Sequence, residues 1–138
     1  MNKIRILLVE DDEEMCEELV PILEDSGRHV DVTHDGQSAI VALEKVRYAL
    51  MLLDLKMPGI NGYEVLQYAH KLHPAVKILV LSGSPLYREL KEEEQIFPGE
   101  EEFGEYIKKF AHGFLTKPFV VEEVLQKIKE LLGKQESA

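Results

Sequence analysis

The sequence predicts an α/β fold in which a five-stranded parallel sheet carries helices on both faces. Short apolar runs alternate with helical patterns five times along the 138 residues, and this alternation is typical of a parallel sheet built from strand–helix units. The run Ala49–Leu53 is apolar at every position, as expected of a strand buried on both faces of such a sheet. The chain length fits one domain.

Five apolar runs predict the strands in order. The third run ends at Asp54, before a Pro58-Gly59 pair that requires a loop. Right-handed crossovers leave few arrangements for five parallel strands, and the flavodoxin-like order 2-1-3-4-5 is the leading one. The predicted strands are residues 4–9, 30–33, 49–53, 76–81 and 113–116.

Apolar residues with helical spacing predict the helices between and after these strands. The first helix is expected to be interrupted and kinked at Pro21. Asn61 is a good N-cap for the third helix, and Gly133 lies where a C-terminal cap of the last helix is expected. The predicted helices are residues 13–24, 37–45, 61–72 and 121–132.

The segment between Ser84 and Phe110 is larger than one helix requires. It contains two helical patterns, separated by Ile96–Gly99, and both carry runs of glutamate. Such runs are typical of solvated helix faces. We expect an enlarged helix-4 region, formed either by a lengthened or split helix or by an additional element that covers or enlarges a partner surface.

Composition excludes several classes of function. The formal net charge of −10 argues against direct binding of nucleic acid, whose phosphates would repel the chain. The single cysteine, Cys16, cannot form an internal disulfide, which fits a reducing cytoplasm, and it is expected on the buried face of the first helix. No apolar run approaches the roughly 20 residues of a membrane span, so a soluble cytoplasmic protein is expected.

Polar residues follow four of the predicted strands, where the carboxyl ends of parallel strands meet. They are Glu10 and Asp11 after the first, Asp54 after the third, Ser82 after the fourth and Lys117 after the fifth. Carboxylates gathered there repel one another unless a cation joins them, and hard oxygen ligands suit Mg²⁺. The lysine and the serine then offer a charge and a hydroxyl to an anion such as a phosphoryl group. Helix caps and one ion pair are the simpler alternative.

Four motifs in this order resemble those of response-regulator receiver domains of two-component signal transduction. They are Val9-Glu10-Asp11-Asp12, the stretch from Leu53 to Gly62 (LDLKMPGING), Leu81-Ser82-Gly83 and Leu115-Thr116-Lys117-Pro118-Phe119. The resemblance covers nearly the whole chain and implies a receiver domain over 1–133, a tail over 134–138 and no output domain.

The resemblance assigns the metal and phosphoryl sites. Asp54 corresponds to the phosphoacceptor, and it would ligate Mg²⁺ directly together with Asp11 and the backbone carbonyl of Lys56. Glu10 would act through a metal-bound water, whereas Asp12 begins the helix as an N-cap. Mn²⁺ is an acceptable substitute for Mg²⁺, and no other cofactor is implied.

The resemblance also assigns the switch residues. Ser82 corresponds to the hydroxyl residue that turns toward the phosphoryl group, and Lys117 to the lysine that pairs with Asp54 before phosphorylation and with the phosphoryl group afterwards. The Lys117-Pro118 bond is usually cis in this family. Phe114 matches the aromatic switch position, although an inward phenylalanine is equally well a core residue.

The implied function is a phosphorylation-dependent switch rather than an enzyme with a separate substrate. A sensor histidine kinase or a histidine phosphotransfer protein would phosphorylate Asp54, and the domain would catalyse only this transfer and the hydrolysis of its acyl phosphate. The fourth helix, fifth strand and fifth helix would then change their affinity for an output partner. Dimerisation through this face is left open.

Two other function classes remain as alternatives. A degenerate receiver would act as a phosphorylation-independent interaction module, and the intact set of acids, serine and lysine counts against it. A phosphatase with an aspartyl nucleophile, similar to haloacid dehalogenases, would need a second acid where Lys56 stands. A flavodoxin-like cofactor binder is weaker still, because no phosphate-binding loop follows the first strand.

Overall fold

The computed structural model describes residues 4–25, 27–55, 62–82 and 109–136. Its strands form a single parallel sheet in the order β2-β1-β3-β4-β5, which confirms the predicted topology. The strands are β1 (Arg5–Val9), β2 (His29–Thr33), β3 (Leu50–Asp54), β4 (Lys77–Ser82) and β5 (Gly113–Thr116).

Four helices occupy the described ranges: α1 (Glu13–Asp25), α2 (Gly36–Lys45), α3 (Gly62–Leu72) and a C-terminal helix (Val121–Glu136). The predicted interruption of the first helix at Pro21 is wrong, because α1 continues through this residue. The predicted cap at Gly133 is also wrong, because the C-terminal helix runs on to Glu136. The predicted cap Asn61 and most of the enlarged segment, residues 83–108, lie outside the described residues.

The helices pack on the two faces of the sheet and form two apolar cores. α1 and the C-terminal helix cover one face, where Cys16, Leu19 and Leu23 of α1 are buried. Burial of these residues on both sides of Pro21 outweighs the loss of one helical hydrogen bond at the proline. α2 and α3 cover the other face, and all five residues of β3 are buried between the two layers.

The strand register brings the carboxyl ends of the strands to one edge of the sheet. Val9 is opposite Leu53, Asp54 is opposite Leu81, and Ser82 is opposite Thr116. Asp54 at the end of β3 therefore lies close to the residues that follow β1 and β5 at this edge, as the sequence predicts. No helix in the described part of the chain is both long and apolar enough to cross a bilayer.

Candidate functional site

Three carboxylates meet at the carboxyl edge of the sheet. Glu10 directly follows β1, and Asp54 is the last residue of the neighbouring strand β3. Glu10 is 0% and Asp54 5% exposed, whereas Asp11 is open to solvent. One carboxylate oxygen of each of the three residues lies within 4.8 Å of the others. Two buried acids therefore lie beside a third, exposed one, and together they offer the oxygen atoms of a candidate cation site.

Lys117 reaches this cluster from the end of β5. Its Nζ atom donates to both carboxylate oxygens of Glu10 at 3.0 Å and lies 3.5 Å from Oδ2 of Asp54. The lysine side chain is 22% exposed. The predicted pairing with Asp54 is therefore present at the longer distance, and Glu10 is the nearer partner.

The electrostatics of the cluster follow from burial and from this pairing. Burial raises the pKa of Glu10 to about 7, the hydrogen bond from Lys117 opposes the rise, and the charge of Asp54 adds to it. Burial alone would lower the pKa of Lys117, but the contacts with Glu10 and Asp54 outweigh it and raise that pKa. The lysine is thus held in its charged form beside the acids.

The donor set fits a divalent cation. Fully ionised, the three carboxylates carry three negative charges against the single positive charge of Lys117, which leaves an excess of two. Carboxylate oxygens with solvent access are the ligands of Mg²⁺ in proteins, where the ion keeps several of its waters. The residues present therefore match Mg²⁺ in charge and in chemistry.

The loop that carries the acids is held by the strand and helix beside it. The side chain of Asp12 accepts a hydrogen bond from the backbone N–H of Met15 at 3.2 Å, which confirms Asp12 as the N-cap of α1. The backbone N–H of Glu10 donates to the carbonyl of Thr33. Nδ1 of His34 donates to the Glu10 carbonyl at 2.9 Å. Sequence reasoning missed His34, because no motif marks a contact between residues 24 positions apart.

Gly62 allows α3 to approach the end of β3 closely. A Cβ atom at this position would lie 2.5 Å from Cα of Leu55 and 2.9 Å from the carbonyl oxygen of Asp54. α3 can begin against the end of β3 only because residue 62 lacks a side chain. The second glycine of the predicted motif thus has a packing role that the motif alone did not specify.

The structure describes the remaining predicted site residues to different extents. Lys56 lies outside the described residues, and for Ser82 the structure describes the backbone at the end of β4 but not the side chain. Phe114 is 40% exposed, so the interpretation of this residue as core does not hold. The Lys117-Pro118 bond is cis, as the resemblance implies.

Comparison with known families gives a match over most of the chain. The profile described as the response regulator receiver domain matches residues 6–95. The regulatory protein VanRB of Enterococcus faecalis is 32% identical over 131 residues, which are 94% of this chain and 52% of the relative. The chain thus spans about half the length of this relative.

Comparison with solved structures gives the same fold. A CheY-like response regulator receiver domain protein from Methanospirillum hungatei has a TM-score of 0.79 and 29% identity, with 99% of this chain and 98% of that one covered. The response regulator TrrA from Thermotoga maritima, in complex with Mg²⁺-BeF, has a TM-score of 0.74 and 29% identity, with 94% and 99% covered.

Proposed function

Because the chain belongs to the family of response regulator receiver domains, we propose that it is a phosphorylation-dependent switch with Asp54 as its phosphoacceptor. A sensor histidine kinase or a histidine phosphotransfer protein is the proposed donor. The observation that carries the proposal is the contact of Lys117 with buried Glu10 and Asp54, at 3.0 and 3.5 Å, beside the exposed carboxylate of Asp11.

The proposed reaction is the transfer of one phosphoryl group to a carboxylate. An oxygen of Asp54 forms a bond to phosphorus while the bond between phosphorus and the donor histidine nitrogen breaks. The electron pair of the broken bond stays with the imidazole, which takes up a proton, and Asp54 becomes an acyl phosphate. The transfer adds negative charge at the end of β3, where Lys117 already lies within reach.

Mg²⁺ is the proposed cofactor, with Mn²⁺ as a substitute. Asp11, Asp54 and the backbone carbonyl of Lys56 are the proposed ligands, and Glu10 is proposed to act through a bound water. When bound, the ion supplies positive charge that offsets repulsion between the carboxylates and the incoming phosphoryl group. The excess of acidic charge at the three carboxylates supports this assignment.

The proposed response to phosphorylation begins with Lys117. The new phosphoryl group would compete with Glu10 for the ammonium group of Lys117. Ser82 is proposed to donate a hydrogen bond from its hydroxyl to the phosphoryl group. Movement of these two residues would act on β5, where Phe114 is exposed. The surface formed by the predicted fourth helix, β5 and the C-terminal helix is the proposed binding face for an output partner, and the partner itself is not identified.

The domain is proposed to turn over no separate substrate. Its chemistry would be limited to its own phosphorylation and to hydrolysis of the acyl phosphate.

Cys16 is buried and free, which supports the cytoplasm as the compartment. Direct binding of nucleic acid is not proposed, because the net charge of −10 opposes it.

Phosphorylation by acetyl phosphate, followed by intact-protein mass spectrometry, tests the proposal. With Mg²⁺ the native protein should gain one phosphoryl group, and chelation of the metal should abolish the gain. Asp54→Asn should remain unmodified. Asp25→Asn is the matched control, since Asp25 is an exposed aspartate at the C-terminal end of α1, and it should be phosphorylated like the native protein.

Two outcomes would overturn the proposal. No modification of the native protein with Mg²⁺ would favour the phosphorylation-independent interaction module. Equal modification of Asp54→Asn would place the acceptor elsewhere in the chain.

A further inference from the structure

An open cleft lies between α1 and the edge strand β2. It is a cleft of about 460 Å³, a volume within the range of small-molecule sites. Val20 and Pro21 of α1 and Val32 of β2 form its apolar walls. The proposed phosphorylation does not use this cleft.

The rim of the cleft is acidic. Glu13 and Glu17 both line it, and their spacing of four residues places them on the same face of α1, where like charges repel. In the described part of the chain neither carboxylate has an ion-pair partner. Pro21 has no N–H group, so it cannot donate to the Glu17 carbonyl as a helical residue normally would.

His34, which is exposed, adds an acceptor to the lining of the cleft. Because its Nδ1 donates to the Glu10 carbonyl, the Nε2 atom of the neutral ring has a free lone pair for a hydrogen bond. The lining residues include no lysine or arginine. Carboxylates and a ring nitrogen beside apolar walls suit a ligand with an apolar body and a cationic, hydrogen-bond-donating group.

We propose that this cleft binds a small apolar molecule that carries an ammonium group, and that its occupant acts on the acidic loop through His34. The ammonium group would lie between Glu13 and Glu17, and the apolar body would pack against Val20 and Val32. Charge complementarity selects this ligand class over a neutral or anionic one.

The cleft is connected to the acidic site by two side chains of its lining. His34 donates to the Glu10 carbonyl at 2.9 Å, and Sγ of Cys16 lies 3.7 Å from the same oxygen. The side chain of Glu10 in turn holds Lys117. An occupant that contacts His34 therefore contacts the residue that supports Glu10. The inferred effect of the occupant on the acidic loop rests on the proposed function.

Titration of the ¹⁵N-labelled protein with hexylammonium tests the binding. Amide signals of the cleft residues should shift and saturate, 1-hexanol should bind more weakly by about threefold or more, and hexanoate should produce no shifts there. Equal affinity for hexylammonium and hexanol, or ammonium-induced shifts confined to Asp11 and Asp54, would overturn the proposal.

A pair of double variants with equal net charge identifies the binding face. Glu13→Gln/Glu17→Gln should weaken hexylammonium binding by about three- to tenfold. Glu14→Gln/Glu18→Gln removes two exposed charges from the same helix outside the cleft and should leave the affinity within about twofold of native. Equal losses in both double variants would contradict a site at the cleft.

The connection to the acidic site has its own measurement. Saturating hexylammonium should weaken Mg²⁺ binding, followed by the amide signal of Asp11, by about twofold or more, and His34→Ala should remove this effect. Unchanged Mg²⁺ affinity in the native protein would overturn the connection. If hexylammonium binds while acetyl phosphate never labels Asp54, the proposed ligand binding is supported and the proposed function is contradicted. If acetyl phosphate labels Asp54 while hexylammonium does not bind, only the proposed ligand binding is contradicted.

Discussion

Lys117 lies closer to Glu10 than to Asp54, donating to both carboxylate oxygens of Glu10 at 3.0 Å while its Nζ atom lies 3.5 Å from Asp54. A buried carboxylate with no charged partner is costly, and this lysine compensates Glu10 first. We infer that Glu10 holds the lysine until the charge at Asp54 increases. Under the proposed function, the glutamate would thereby belong to the switch as well as to the proposed metal site.

Replacement of Glu10 tests this role. Glu10→Gln removes one negative charge from the cluster and lets Lys117 turn fully toward Asp54. Mg²⁺ affinity should fall by about tenfold, the size typical of changes around a metal's ligands. Titration with Mg²⁺ measured by calorimetry gives the affinity. Glu14→Gln on the exposed face of α1 is the control, and an unchanged or increased affinity in Glu10→Gln would show that Glu10 does not contribute to the cation site.

Alanine should have opposite effects at Gly62, which begins α3, and at Gly133, which lies inside the C-terminal helix. Gly62→Ala places a methyl group 2.5 Å from Cα of Leu55, so the free energy of unfolding should fall by about 1–3 kcal/mol. Phosphorylation of Asp54 should slow as well, since the end of β3 must shift.

Gly133→Ala is the matched control. A Cβ atom there meets no atom within 4 Å, and alanine is the better helix former, so stability should rise by about 0.5–1 kcal/mol. Urea unfolding measures both variants, and equal effects would contradict the close approach of α3 to β3.

The stability of the fold should depend on pH through Asp31, which lies outside the acidic site. Burial would raise the pKa of Asp31, but hydrogen bonds from Tyr48, His29 and Arg5 outweigh it and lower that pKa below its ordinary value. The hydroxyl of Tyr48 donates at 2.6 Å. A carboxyl group with a lowered pKa stabilises the fold above its unfolded pKa, and this contribution is lost as the pH falls through its folded pKa.

Tyr48→Phe should therefore destabilise the fold in a pH-dependent way. The loss should be about 1 kcal/mol at pH 7 and should shrink as Asp31 becomes protonated in acid. Urea unfolding at neutral and acidic pH measures it. Tyr68→Phe is the control, because within the described residues the hydroxyl of Tyr68 interacts with the exposed side chain of Glu44. A constant loss at every pH would contradict the role of the Asp31 charge.

The sheet order and the gathering of Glu10, Asp11, Asp54 and Lys117 could be predicted from sequence. An apolar run followed by a polar residue places that residue at the end of a strand, and parallel strands end at one edge. The preference of Lys117 for Glu10 over Asp54 could not be predicted, because it depends on how far the lysine side chain reaches from the end of β5 toward β3 and β1.

The boundaries of the elements were predicted less well for physical reasons. Pro21 and Gly133 are strong local signals for the end of a helix, but the leucines buried on either side of Pro21 hold α1 together. The sequence predicts the end of the third strand at Leu53 with Asp54 at the junction to the loop, whereas Asp54 itself pairs with Leu81 and ends β3. The hydrogen bond between His29 and Asp31 follows the two-residue period of a strand, whereas the one between Tyr48 and Asp31 joins residues 17 positions apart and follows no local period.

The position of the modified residue decides whether Asp54 is the phosphoacceptor. After reaction with acetyl phosphate and Mg²⁺, borohydride reduces an aspartyl phosphate to homoserine, and peptide mass spectrometry locates that homoserine. We expect homoserine at position 54 in the native protein and none in Asp54→Asn. Homoserine at Asp11, at another aspartate or at no position in the native protein would contradict it.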